Sequence, residues 1–448
     1  MPLSRDERGA ALLGGVRLED LFDPPPPTPG ASPAPPPPAF GAGPALPPFR
    51  TPAYVYDLDA IEDAARALSA GFGGAPHLVA YAVKANTAGP ILRALQAAGC
   101  GADAVSGAEL AVALGAGFSP EKLLYSGVAK LDGEIDLAIG AGPRGILAIQ
   151  MESVEEVARV AARARALGRR ARVSIRVNPG IEADTHAAVA TGHDEAKFGV
   201  AVEDLGAAFD ELARAPELDL QGLSSHIGSQ LTGTAEYLAA ADVLIGVAAA
   251  REAARGPLAF IDLGGGFGID YGAGCPSAPA DFAAAAAARI AASPLRGRMI
   301  VVEPGRCLVA AHGVLCASQV MSKRARGSAR RWLMIDAGMN DLLRPALYGA
   351  LHRIEAMDVP PPQDGTGYRV VGPVCESSDD FGEHRFDEPL PRRVVIRDAG
   401  AYGYTMASEY NGRPLPAEIF LRGGRVIAAS RPRSVDAWIA SRLDIPGN

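Results

Sequence analysis

Eight short apolar runs, at 78–83, 102–105, 122–125, 146–150, 173–177, 218–225, 258–263 and 299–303, recur along the chain, most of them separated by helical periodicity. This rhythm narrows the choice of fold more than any other feature, because apolar runs linked by helices read as parallel strands buried on both faces. Eight of them predict a closed (β/α)8 barrel of the TIM type, with a Rossmann-like sheet of about six strands as the alternative. The clearest helix is 153–167, where Ser153 and Glu156 are spaced as a capping box and Gly168 supplies the stop.

In a barrel, chemistry collects on the loops that follow the strands. The residues there are polar or glycine: Lys84, Ser106, Ser126, Glu152, Asn178, His226 with Ser229, Gly264 to Gly266, and Gly305 with Arg306.

Outside the barrel the texture changes. Residues 1–22 are polar and end in Leu18-Glu19-Asp20-Leu21-Phe22, and 24–48 is a Pro, Gly and Ala segment expected to be polyproline II or a solvated linker. A strand at 53–57 and a helix at 58–68 follow. Beyond 312, short strands at 331–335, 368–371, 393–397 and 425–429 lie between Gly and Pro turns and predict a second, mostly β domain. Apolar-rich loops at 340–352 and 375–383 interrupt it. The expected organisation is an N-terminal segment with its linker over 1–50, part of it free to pack on the β domain, a barrel over 51–311, and a β-sandwich or Greek-key barrel over 312–448.

Composition sets the outer limits. With 448 residues, 48% hydrophobic and 21% charged, the chain can bury a large core. A net charge of -8 argues against a sequence-independent grip on nucleic acid. The five cysteines are odd in number, widely spaced and without a C-x-x-C pair, so neither a disulfide framework nor a zinc site is expected, and a reducing cytoplasm fits. No uncharged stretch is long enough to span a bilayer, and the N-terminus has no sustained apolar segment.

Three features carry chemistry in combination. Lys84 ends an apolar run, where a partly dry pocket would lower its pKa and free its amine to form a Schiff base. Gly264-Gly265-Gly266-Phe267-Gly268 follows a strand and can bring bare N–H groups against a single phosphate, although its spacing is not that of a dinucleotide fingerprint. Glu303-Pro304-Gly305-Arg306 joins a carboxylate in need of a cationic partner to an arginine suited to phosphate. His226 and Ser229 add an imidazole and a hydroxyl at another strand end. An aldehyde held by lysine, a phosphate cradle and a carboxylate facing a protonated ring nitrogen together describe pyridoxal phosphate used as an electron sink.

The motifs Val83-Lys84-Ala85-Asn86, His226-Ile227-Gly228-Ser229-Gln230, Asp262 to Gly268, Glu303-Pro304-Gly305-Arg306, Cys375-Glu376-Ser377 and Asp398-Ala399-Gly400-Ala401-Tyr402 resemble the fold-type III pyridoxal phosphate decarboxylases. Within these, the run from Met339 to Tyr348 and Met406-Ala407-Ser408-Glu409-Tyr410-Asn411 are most similar to the diaminopimelate decarboxylases. The resemblance implies that Lys84 carries the cofactor, His226 stacks on its ring and Glu303 keeps the ring nitrogen protonated. It places Ser229, Gly265, Gly266, Gly305, Arg306 and Tyr402 around the phosphate, with Arg306 also near substrate. Arg344, Tyr348, Glu376 and Tyr402 would bind substrate, and Cys375 would return a proton to the product. Cys375 and Glu376 would enter the site from a second subunit of a homodimer.

The implied reaction is decarboxylation of meso-2,6-diaminopimelate to L-lysine. Glu303 argues against an amino acid racemase, since alanine racemases of the same fold carry an arginine there. Arg344 and Glu376 complement the distal carboxylate and ammonium of diaminopimelate, and ornithine would leave Arg344 unpaired. A decarboxylase of ornithine, lysine, arginine or a carboxylated polyamine remains the alternative, and a non-catalytic pyridoxal phosphate-binding regulator would lack the β domain. Two stretches depart from the family pattern: the Pro-rich segment, and Ser378-Asp379-Asp380, where a Gly-Asp continuation is usual.

Overall fold

The computed structural model describes residues 3–22, 48–181, 197–430 and 434–443, so the expected linker at 24–48, all but Pro48, lies outside the described residues. Two compact units emerge. One comprises Glu62–Asp270 and Gly274–Leu308; the other comprises Met1–Ile61, Tyr271–Ala273 and Val309–Asn448.

The first unit is a closed parallel barrel of eight strands: His77–Ala82, Gly101–Ala104, Leu123–Tyr125, Ala148–Met151, Ala171–Asn178, Leu218–Ser224, Phe260–Gly265 and Met299–Glu303. Neighbours in sequence are neighbours in space, and the last strand pairs back onto the first through Val301 opposite Leu78. Each strand matches one of the eight apolar runs to within a few residues. Leu78, Ala80, Leu124, Ala148, Phe260 and Val301 form a buried cluster in this unit.

The helix Val154–Ala166 follows its sequence signals only in part. Ser153 Oγ accepts from the Glu156 N–H at 3.3 Å, and Gly168 takes the left-handed conformation (φ +61°) just past the end. The reciprocal half of the expected capping box is missing. Glu156 instead accepts from the Glu152 N–H at 2.8 Å and from Lys130 Nζ at 3.1 Å. Lys130 is 1% exposed, and a buried ammonium draws a carboxylate more strongly than a cap does.

The second unit holds a curled, mostly antiparallel sheet. Its longest strand, Gly313–Arg324, changes partners along its length. The first half lies between Ala53–Asp57 and Arg393–Ile396, and the second half pairs with Arg331–Ile335. Thr366–Val371 and Asp380–Phe386 extend one side; Ala417–Arg422 and Arg425–Ala429 extend the other.

Two sequence expectations are revised here. Ala53–Asp57, expected within a barrel segment beginning at 51, is wholly buried in this sheet, antiparallel to Gly313–Arg324 and parallel to Ala417–Arg422. The expected loops at 340–352 and 375–383 contain a short helix, Arg344–Tyr348, and the start of the strand Asp380–Phe386. The N-terminal residues form three short strands and the helix Leu18–Phe22, whose Leu13, Leu18 and Phe22 pack with Val55, Val314 and Ile419.

That packing makes a checkable prediction. Leu13 is fully buried, so Leu13→Ala should lower the stability of this unit by about 2–5 kcal/mol, read from the urea midpoint.

Candidate active site

Lys84 stands where the first strand ends. His77–Ala82 gives way to a single 3-10 turn, Val83–Ala85, and the Tyr81 hydroxyl donates to the Asn86 carbonyl at 3.0 Å, fixing the chain just beyond the lysine. The turn presents Lys84 to a cleft of about 290 Å³, at the small end for ligand sites. Its walls include Lys84, Asp103, Gln150, Arg176, His226 and Glu303, from six different strands or strand ends. Among the described residues Lys84 is not enclosed in the dry pocket expected around it. The residue is exposed, and its charge acts on Asp103, Glu109 and Glu303.

Three carboxylates meet in this barrel interior. Burial and the Asp262 charge push Glu303 well above the usual carboxylate range. Burial pushes Asp262 up to about 6, and burial with the Glu303 charge drives Asp103 strongly upward. Ser126 donates to Asp103 Oδ1 at 2.5 Å, while the buried Asp103 Oδ2 has no hydrogen-bond partner.

His226 is held neutral by burial and by the nearby Arg176 and Lys84 charges, which lower its pKa well below the usual value. Its Nδ1 accepts the Gly265 N–H at 3.1 Å, so the ring proton belongs on Nε2. That bond revises one expectation, because the Gly265 amide is engaged by histidine rather than left for a phosphate. Gly265 is required for a packing reason: a Cβ there would come within 2.0 Å of the Glu303 carbonyl. Gly266 has φ +87° and lies against the Gly228 carbonyl, so it too serves the tight turn. Arg306, largely buried, donates to Ser229 Oγ at 2.8 Å, and Gly305 packs against Ala82 and Ala85.

The other residues after the strands divide by role. Ser106 caps a helix through the Glu109 N–H, and Asn178 turns back on the Gly180 N–H. Glu152 pairs with Arg176 at 3.1 Å and accepts from the Gly127 and Gly199 amides. Sequence reasoning assigned no role to Gln150, Asp103 or Arg176. Gln150 and Asp103 sit within apolar runs, where a lone polar residue aimed into a barrel is the signal that could have found them.

The remaining candidates lie in the other unit. Arg344 is 6% exposed; it donates to His352 Nε2 at 2.7 Å and lies over the Tyr271 ring. Tyr348 ends the same short helix. Cys375 and Glu376 are both exposed, with Glu376 accepting from the Tyr410 hydroxyl at 2.5 Å. Asp379, one of the departures from the family pattern, is buried and accepts from the Met339 and Val374 amides, so it ties down the base of the Cys375 loop. Tyr402 and Asp398 both adopt positive φ, at +55° and +58°, a strained conformation that clusters at functional sites.

Residues 58–310 match the model for the pyridoxal-dependent decarboxylase pyridoxal-binding domain. Diaminopimelate decarboxylase of Zymomonas mobilis is 39% identical over 393 residues, covering 87% of this chain and 91% of the relative. The chain belongs to the diaminopimelate decarboxylase family. The Neisseria meningitidis enzyme is 38% identical over 88% of this chain and 95% of its own length. Among solved structures, diaminopimelate decarboxylase of Helicobacter pylori complexed with L-lysine superposes with a TM-score of 0.81 at 36% identity, covering 88% of this chain and 98% of that one. The M. jannaschii enzyme, also with L-lysine, reaches 0.85 at 29% identity, covering 99% and 98%. As a member of this family the chain is a decarboxylase that uses pyridoxal phosphate. The cleft suits that group on its own chemistry: it offers an amine at Lys84, a buried carboxyl with a raised pKa at Glu303, a neutral imidazole at His226 and an unsatisfied carboxylate oxygen on Asp103.

Raised carboxylate pKa values carry a sign. Asp262 holds its proton more tightly folded than unfolded, so its contribution to stability is present below about pH 4 and is lost as pH rises through about 6. Asp262→Asn removes that loss. The cofactor-free variant should gain stability over the parent on going from pH 4 to pH 8, by an amount on the order of 3 kcal/mol, in paired thermal melts.

Proposed function

We propose that this chain decarboxylates meso-2,6-diaminopimelate to L-lysine and CO2. The observation that carries this reading is the meeting of Lys84, neutral His226 and a carboxylate at Glu303 in one cleft of a chain from this family. Pyridoxal phosphate supplies a positively charged ring that accepts the electrons left behind when a carboxylate departs as CO2.

Each residue then has a task. Lys84 Nζ would hold the cofactor covalently through its aldehyde carbon. Glu303 holds a proton on the ring nitrogen, and a carboxylate rather than an arginine there favours decarboxylation over racemisation. His226, its proton on Nε2, offers an uncharged ring face for stacking. Arg306 and Ser229 anchor the phosphate, with Gly266, Gly305 and Tyr402 completing its surroundings and Gly265 acting through His226. Arg344 pairs with the distal carboxylate of the substrate and Glu376 with its ammonium, beside Tyr348 and Tyr402.

Cys375 Sγ returns a proton to the product. The exposure of Cys375 and Glu376 supports a homodimer in which this loop serves the partner's site. No helix among the described residues is long and apolar enough to cross a membrane, and the five cysteines are free, which supports a place in the reducing cytoplasm.

The purified, cofactor-loaded protein should release CO2 and lysine from meso-diaminopimelate but not from ornithine, lysine or arginine; turnover of another of these would move the reading to a related decarboxylase. Lys84→Ala should abolish both turnover and the bound-cofactor absorbance. Arg344→Ala should reduce turnover of diaminopimelate far more than cofactor affinity. Mixing inactive Lys84→Ala with inactive Cys375→Ala should restore activity if the site is shared between subunits, and mixtures that stay inactive would refute sharing.

A further inference from the structure

Gln150 points into the barrel from the strand Ala148–Met151 and is 1% exposed. Its amide has three polar contacts. Nε2 donates to Glu303 Oε1 at 2.6 Å and to Asp262 Oδ2 at 3.1 Å, and Oε1 accepts from the Ser224 hydroxyl. This orientation gives both carboxyl groups a donor. Turned over, the amide would set its oxygen against two carboxyl groups and lose both donated bonds. The backbone is held as well, since Lys130 Nζ donates to the Gln150 carbonyl at 2.6 Å and pairs with Glu156.

Glu303 and Asp262 thus share the Gln150 amide as a donor, and Asp262 Oδ1 is also taken by the Gly264 N–H at 2.9 Å. Burial and the Asp262 charge outweigh the nearby Lys84 and Arg176 charges and raise the Glu303 pKa well above the usual range, which favours a proton on Glu303. A ring nitrogen brought against Glu303 offers the proton a new site. The O–H bond breaks, an N–H bond forms, and a carboxylate is left in a buried place where it needs donors.

We propose that Gln150 is the positioning residue that makes this transfer favourable, holding Glu303 ionised and in one orientation with Ser224 fixing the amide. An N–H donated to a carboxylate favours its charged form, and in a dry site a bond to a charged group is worth more than a neutral one. Gln150 thereby sets the strength of the electron sink without touching substrate. This inference rests on the proposed role of Glu303.

The test uses the full chain loaded with pyridoxal phosphate labelled with 15N in the ring, whose chemical shift reports whether the nitrogen is protonated. In the parent enzyme the nitrogen should be protonated near neutral pH. Gln150→Leu should shift the signal toward the unprotonated position and lower kcat at least about tenfold, with KM and cofactor affinity changed only a few-fold. Ser224→Ala should move the signal in the same direction by less, and it carries the test if Gln150→Leu fails to fold.

A signal unchanged from the parent in the folded variant, or cofactor loss that parallels the loss of activity, overturns the proposal. Glu303→Gln separates the two layers. If it shifts the signal and Gln150→Leu does not, the inference about Gln150 alone fails; if it too leaves the nitrogen protonated, the assignment of Glu303 fails.

Discussion

Carboxylates buried at the open end of a parallel barrel need protons, cations or donors, and the cleft is arranged around that need. Beyond burial, the Glu303 charge raises the pKa of Asp103, the Asp103 charge that of Asp262, and the Asp262 charge that of Glu303. What offsets the cost is specific: the Ser126 hydroxyl on Asp103, the Gly264 amide on Asp262, the Gln150 amide on Glu303, and the charges of Lys84 and Arg176. Even so, the set stays short of positive charge, and an aromatic ring with a protonated nitrogen would supply it. The same charges that steady the carboxylates keep His226 neutral, so acid and imidazole are tuned by one field.

Close backbone approach is the second constraint. The strands Phe260–Gly265 and Met299–Glu303 converge so tightly that a side chain at Gly265 would collide with the Glu303 carbonyl. This ties the glycine cluster to the carboxylate mechanically. The turn that brings Gly265 to His226 Nδ1 also fixes the end of the strand that carries Glu303.

The second unit is assembled from both sides of the barrel in sequence. Ala53–Asp57 is flanked in its sheet by strands that lie beyond residue 312, and the N-terminal Leu13, Leu18 and Phe22 complete the same buried cluster. On this frame Arg344 is fixed by a histidine whose Nδ1 donates to the Arg397 carbonyl, which leaves Nε2 to accept from the guanidinium. Cys375 and Glu376, by contrast, are presented outward on a loop whose base is pinned by Asp379.

Sequence alone determined the alternation of strands and helices, because periodicity and apolar run length are local properties, and it therefore placed Lys84, His226, Glu303 and Arg306 at strand ends. It could not assign Ala53–Asp57 to its sheet, since an isolated apolar strand carries no record of its partner. Nor could it reveal that Glu156 answers Lys130 instead of capping its helix, or that Gln150, Ser224, Asp262 and Glu303 share one network. Neighbours across a barrel interior are set by the register and closure of eight strands, so residues far apart in the chain become hydrogen-bond partners only in the tertiary structure.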